Sequence, residues 1–166
     1  GKHYRYVFRG GCAPDDLDDA RRWRVAPALD VGAMAAAAAQ LEGTHDFSSF
    51  RAGGCSAASP TKTLYRFDVA KDGADVVVDL VGDAFVRKMV RNLMGLLAEV
   101  GSGWRAVADV DRVVAARDRQ AAGITAPPQG LTLVAVGSAW PADGSWRLPD
   151  CPPDDVADDA ADDVDE

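Results

Sequence analysis

Cysteine is scarce in this chain. Cys12, Cys55 and Cys151 are the only three, an odd number without Cys-x-x-Cys spacing, so neither a disulfide framework nor a zinc site is signalled and a reducing interior fits best. Histidine is scarcer still: His3 and His45 stand alone, with no cysteine pair beside either to complete a metal site. Long apolar runs are also missing. None approaches the roughly 20 residues needed to cross a bilayer, and no signal-peptide core opens the chain. The expectation is a soluble, cytoplasmic protein with no membrane partner. Lysine is limited to Lys2, Lys62, Lys71 and Lys88, while the acids are almost all Asp and the bases mostly Arg. That bias suits a halophilic cytoplasm, and a GC-rich genome would produce much of it too.

What is present is one domain's worth of chain: 166 residues, 48% of them apolar, enough for a single buried core. The net charge of -8 is unevenly placed. From Asp150 to Glu166 there are nine carboxylates and no base, which leaves 17 acids against 18 bases in the remainder. Residues 1–140 therefore read as a nearly neutral folded body and 141–166 as an acidic, loosely ordered tail. An acidic pI set by such a tail does not argue against nucleic acid at a local site.

Tyr4 to Arg9 reads as a strand, with Tyr4 and Tyr6 on one face and Arg5 and Arg9 on the other. Gly10 to Pro27 reads as a loop whose acids Asp15, Asp16, Asp18 and Asp19 form a solvated surface cluster. Apolar spacing predicts a helix over Val31 to Leu41, with Asp30 as N-cap and Gly43 as stop. Thr63 to Ala70 and Asp75 to Val81 alternate as strands around an Asp72-Gly73 turn, a hairpin signature. Phe85 to Val100 carries the strongest helical pattern, Asp109 to Asp118 a shorter one, and Leu131 to Val136 is a strand-length apolar run. Strands interspersed with helices around an antiparallel hairpin predict an α+β fold, a mostly antiparallel sheet with helices packed on one face.

Chemistry concentrates in Phe85-Val-Arg-Lys-Met-Val-Arg-Asn92. Arg87, Lys88 and Arg91 would share the polar side of a helix, with Arg87 and Arg91 as repelling neighbours at i,i+4. Such a face is either simply solvated or waiting for an anion, a phosphate or a carboxylate that must stay ionised. Tyr4 and Tyr6 could pack in the core, or could stack an unpaired base. His45 and Asp46 read as organisers of a turn, and no serine occupies the Gly-x-Ser-x-Gly elbow of a hydrolase.

Several motifs in order give a firmer lead. Leu41-Glu-Gly-Thr-His-Asp-Phe-Ser-Ser-Phe-Arg-Ala52, Ala84-Phe-Val-Arg-Lys-Met-Val-Arg-Asn-Leu-Met-Gly95, Glu99-Val-Gly101, Asp118-Arg119, Thr125-Ala-Pro127 and Gly130-Leu-Thr-Leu-Val134 together resemble the TruA family of tRNA pseudouridine synthases. The resemblance runs over about residues 1–137. It implies the pseudouridine synthase fold, of which this chain would be one ferredoxin-like half. It also implies isomerisation of uridine to pseudouridine just 3′ of the tRNA anticodon, with no cofactor and no metal, by a homodimer that cradles the tRNA. By the same resemblance Arg91 matches the arginine that pairs with the catalytic aspartate, Tyr4 the tyrosine that packs on the target base, and Leu131 the apolar lining of the pocket. Phe50, Arg51, Arg87 and Lys88 fall in the matching segments as further substrate contacts.

One element of the family pattern is missing. The nucleophile belongs to a Gly-Arg-Thr-Asp motif upstream of the Tyr4 strand, and nothing in these 166 residues matches it. Asp46, Asp79 and Asp83 lack its glycine-flanked context. With the chain opening almost directly on a strand, the expectation is a fragment of a longer enzyme, inactive by itself; the alternative is a non-catalytic tRNA- or RNA-binding module.

Overall fold

The computed structural model describes residues 1–11, 20–25 and 28–137. The Asp15 to Asp19 cluster and the acidic tail lie outside that range, so the expectations for them are not addressed by it. The elements are β1 Lys2–Gly10, β2 Trp23–Val25, α1 Val31–Ala39, β3 Gly43–Asp46, β4 Thr61–Asp72, β5 Asp75–Gly82, α2 Met89–Gly101, α3 Val110–Ala116 and β6 Leu131–Val136. The α+β expectation holds. Six strands form one sheet in the order β2-β1-β5-β4-β3, with β6 also paired to β1. Among the described residues only the β1–β2 pairing is parallel.

Strand β1 is the hub. One edge pairs with β5 from Lys2 to Arg9. Its other edge is shared, by β6 along Lys2 to Tyr6 and by β2 along Phe8 to Gly10. The hairpin forms as expected: Gly73 and Ala74 join β4 to β5, with positive φ (58°) at Gly73 alone, the pattern of a two-residue II′ turn that matches strand twist.

Alternation along these strands separates two faces. Tyr6, Phe8, Val76, Val78, Leu80, Leu64 and Phe67 point to one face and form the core with Met34, Ala37 and Ala38 of α1 and nearly all of α2. Each such large side chain contributes about 1.5–3 kcal/mol by leaving water, which is why the helices dock there. Asp30 caps α1 as predicted, accepting from the Ala33 N–H at 2.9 Å. The opposite sheet face is ionic. Arg5 reaches Asp79 through Nε and Nη2, both at 3.0 Å; His3 Nε2 lies 2.7 Å from the same carboxylate, and Arg9 and Arg22 both meet Asp75 at 2.7 Å. Burial pushes the Asp79 carboxyl up, but the Arg5 and His3 bonds outweigh it and hold it below the usual carboxylate range.

Three expectations need correction. The segment read as a loop from Gly10 to Pro27 contains β2, whose Trp23 ring packs against Phe8 and Tyr6 at centroid distances of 5.6 and 6.5 Å. Three residues are too few to show a period, so the strand was invisible. His45 and Asp46 lie in β3, paired to β4; the Asp46 carboxylate does cap the following turn, accepting from the Ser48 N–H at 2.9 Å. Finally, α2 begins at Met89, not Phe85. Lys88 is left-handed (φ 62°), which breaks the helical path, so Arg87 and Arg91 are not neighbours on a helix face. Moreover α2 is buried on all sides except at Arg91 and Glu99.

Candidate active site

Arg91 is the point from which the site is built. Its Nε–H donates to the Ala126 carbonyl at 2.6 Å, and the Ala126 N–H donates back to the Arg91 carbonyl at 3.0 Å. No other hydrogen bond or ion pair joins its side chain to a described residue, so among the described residues the two terminal nitrogens of this half-buried guanidinium are left without a partner. No side chain caps the first turn of α2 and no acid lies in it. Arg91 therefore adds its charge to the positive end of a helix dipole. Fixed at Nε and open at both ends, this fork suits a carboxylate or phosphate.

The chain that holds Arg91 is itself held one residue at a time. Thr125 Oγ1 donates to Asn92 Oδ1 at 2.7 Å and accepts from Arg119 Nη2 at 2.6 Å; Ala126 is bonded both ways to Arg91; the Pro127 carbonyl accepts from the Tyr6 phenol at 2.8 Å. Asn92 is fully buried. Its Nδ2 donates to the Phe50 carbonyl at 2.7 Å, and its Oδ1 also accepts from Arg119 Nη2 at 3.0 Å. Arg119 further donates to Gly123 O at 2.7 Å. Beneath this strap Gly95 interrupts the middle of α2, where glycine costs about 1 kcal/mol relative to alanine. The reason is contact: a Cβ there would lie 1.9 Å from the Ile124 carbonyl oxygen.

The strap delivers Leu131 to the start of β6, opposite Tyr6 in register, with Leu133 opposite Tyr4. Tyr4 is half-buried on the same face, its ring edge-to-face with Phe85 at 5.1 Å. Arg91, Tyr4 and Leu131 thus belong to elements joined by the strap. Tyr6 was missed as a site component, although its place two residues after Tyr4 put it on the correct face. It lies within electrostatic reach of Arg91: burial raises its phenol far above the ordinary value, and the Arg91 charge offsets part of that rise.

The remaining expected contacts separate. Arg51 Nη2 is tied to the carbonyls of Cys55 (2.6 Å) and Ala57 (3.1 Å). Arg87 Nη1 reaches Gly53 O at 3.3 Å, while its backbone carbonyl accepts from the Ala52 N–H and its backbone N–H donates to Cys55 Sγ. The Arg87 N–H bond first, then a backbone bond from Ala57, with the Arg51 guanidinium adding to them, hold the Cys55 thiol below its ordinary pKa against the opposing effect of burial. Arg51 and Arg87 therefore shape the loop beside the start of α2, and Lys88 is exposed next to them. Phe50 differs from expectation. With none of its surface exposed and its ring 5.9 Å from that of Phe47, it is core, and only its carbonyl serves the site, through Asn92.

The sequence model of one family, described as tRNA pseudouridine synthase, matches residues 37–137, which includes Arg91, the strap and β6. This chain belongs to that family. Among the relatives of this chain, the "tRNA pseudouridine synthase A" of Acidiphilium cryptum is 50% identical over 82% of this chain and 53% of its own length. Those of Geotalea uraniireducens and Pseudomonas aeruginosa are 44% and 42% identical, over 81% and 90% of this chain and 55% and 51% of theirs. The chain spans about half the length of the curated relatives it matches. No helix among the described residues of this family member is long and apolar enough to cross a membrane.

Proposed function

We propose that this chain is the Arg91-bearing portion of a tRNA pseudouridine synthase, whose nucleophilic aspartate comes from a part of the enzyme outside these residues. The observation that carries the reading is the Arg91 fork, pinned at Nε and free at both ends beside an uncapped helix terminus. An arginine so placed lowers the pKa of an incoming aspartate and fixes its direction, keeping it ionised for attack on the uridine nucleoside. In the isomerisation the N1–C1′ bond breaks, the base turns, a C5–C1′ bond forms, the C5 proton leaves and the freed N1 takes up a proton, so that no atom is gained or lost. Tyr4 offers an aromatic face that offsets the few kcal/mol needed to unstack the base, and a phenol that can assist loss of the C5 proton; Leu131 lines the pocket. Arg51, Arg87 and Lys88 supply positive charge alongside for the RNA backbone.

Action just 3′ of the anticodon, homodimer formation and a cytoplasmic, high-salt setting belong to the same proposal; the first two are supported by the family resemblance, the last by composition. The test is pseudouridine formation on unmodified tRNA by this chain alone and by the protein extended through its upstream coding sequence. Activity only in the extended protein, sharply reduced but still measurable in single turnover on Arg91→Ala, is the expected result. Activity in the short chain would refute the external nucleophile. tRNA binding without isomerisation in either would favour the RNA-binding module.

A further inference from the structure

Tyr6 has no part in the chemistry just described, yet residues 127–131 wrap around it. Its backbone pairs with Leu131, its phenol donates to the Pro127 carbonyl at 2.8 Å, and Gly130 rests on its ring so closely that a Cβ there would lie 2.6 Å from Cζ. The side chain is 1% exposed and its ring is braced by Phe8 at 4.9 Å and Trp23 at 6.5 Å. A phenylalanine would fill that space equally well. The hydroxyl therefore does something specific: it fixes the carbonyl next to Ala126, whose own carbonyl anchors Arg91. Pro127 and Pro128 have no N–H to donate, so at these two residues the main chain can meet β1 only as an acceptor, and the Tyr6 phenol donates to the Pro127 carbonyl.

We propose that Tyr6 is a positioning residue for the reaction, setting through the Pro127 carbonyl the direction of the Arg91 guanidinium and the height of Leu131. This rests on the synthase reading above. Tyr6 need not touch substrate. Raised by burial, its phenol stays protonated and donating across any working pH, so its contribution is geometric and does not titrate.

The experiment uses Tyr6→Phe in two settings. In the extended enzyme, single-turnover pseudouridine formation is expected to fall roughly ten- to hundred-fold, as displacement of a catalytic group by about 1 Å can cause, with tRNA affinity changed less than about two-fold. In an Arg91→Ala background the same substitution adds no further loss, because the two act as one unit. In the present chain, exchange of the Arg91 Nε proton, followed by NMR, is expected to quicken by up to about five-fold, as loss of a bond worth about 1 kcal/mol loosens the strap. If Tyr6→Phe does not fold, Gly130→Ala, which keeps the phenol but displaces the ring, is expected to give the same pattern.

A folded variant with unchanged rate and unchanged Arg91 exchange would overturn the proposal, as would a rate loss that persists in full without Arg91. An extended wild-type enzyme that makes no pseudouridine would overturn the functional reading instead, while the exchange measurement still decides the positioning.

Discussion

Replacing Gly95 by alanine sets two effects of opposite sign against each other. Alanine in a helix interior is favoured over glycine by about 1 kcal/mol, so propensity alone predicts a more stable protein. The structure places the new Cβ 1.9 Å from the Ile124 oxygen and 2.8 Å from its carbonyl carbon. Ordinary contact begins near 3.4 Å, so α2 and the strap must part by about 1.5 Å, and neither atom belongs to a side chain that could rotate away. Overpacking typically costs about 1–3 kcal/mol. Opening this seam also strains the bonds of Ile124 to Glu99, Thr125 to Asn92 and Ala126 to Arg91, each worth about 1 kcal/mol net. Against the gain of about 1, the balance is a destabilisation of about 2–4 kcal/mol, or a fall in Tm of about 5–15 °C for a chain this size. Gly101→Ala is the control: its Cβ would meet the flexible end of Met34 at 2.7 Å, and a loss below about 1.5 kcal/mol is expected. Urea and thermal melts of the two variants decide the matter. A Gly95→Ala protein as stable as wild type would mean that the strap is not seated against α2, and the account of Arg91 would fall with it.

Other substitutions probe the same seam and the ionic face. Asn92→Asp keeps shape and the acceptor for Arg119 but sets an oxygen against the Phe50 carbonyl 2.7 Å away; a loss of about 2–3 kcal/mol in a urea melt is expected, and none would deny that this bond matters. Arg91→Lys in the extended enzyme keeps charge but loses the fork, so pseudouridine formation should drop at least about ten-fold while tRNA affinity stays within about two-fold; equal losses in both would point to binding alone. Asp79 has its folded pKa depressed, so its contribution is complete above the unfolded value of about 3.9 and is lost as pH falls through the folded value. With Arg5 39% exposed that contribution is about 1 kcal/mol. Asp79→Asn should lower stability at pH 7 and nearly match wild type near pH 2; an undiminished gap at low pH would contradict the pairing.

Legibility in the sequence followed the strength of local pattern. The hairpin, the Asp30 cap and the strand character of Leu131 to Val136 could be read because each repeats a period or uses a residue with one local role. The start of α2 could not. Val86, Met89 and Val90 continue a helical spacing through Lys88, whose left-handed backbone is imposed by the bonds joining Ala52, Gly53 and Cys55 to Arg87 and not by its own preference. Phe50 lies in a family motif with its neighbour Arg51, yet one is core and the other faces the loop. Adjacency says nothing about burial inside a short turn. Tyr6 and the strap were hidden for another reason: three consecutive residues bonded to three distant side chains leave no mark at short range.

The position of β1 has a consequence for how this site comes into being. Tyr6 pairs with Val78 on one side and Leu131 on the other, so the strand that carries both tyrosines cannot take its place until segments far downstream exist. Hairpins of the β4–β5 kind close in microseconds; bringing together distant strands is slower, although each doubling of the loop adds only about 0.6 kcal/mol. The topology therefore makes the hairpin an early structure and the seating of β1 between β5 and β6 a late one, with late protection of β1 amides in pulse-labelled exchange as its signature. Strap, tyrosines and arginine would then assemble in the final step, and no partly folded species would present a functional site to RNA.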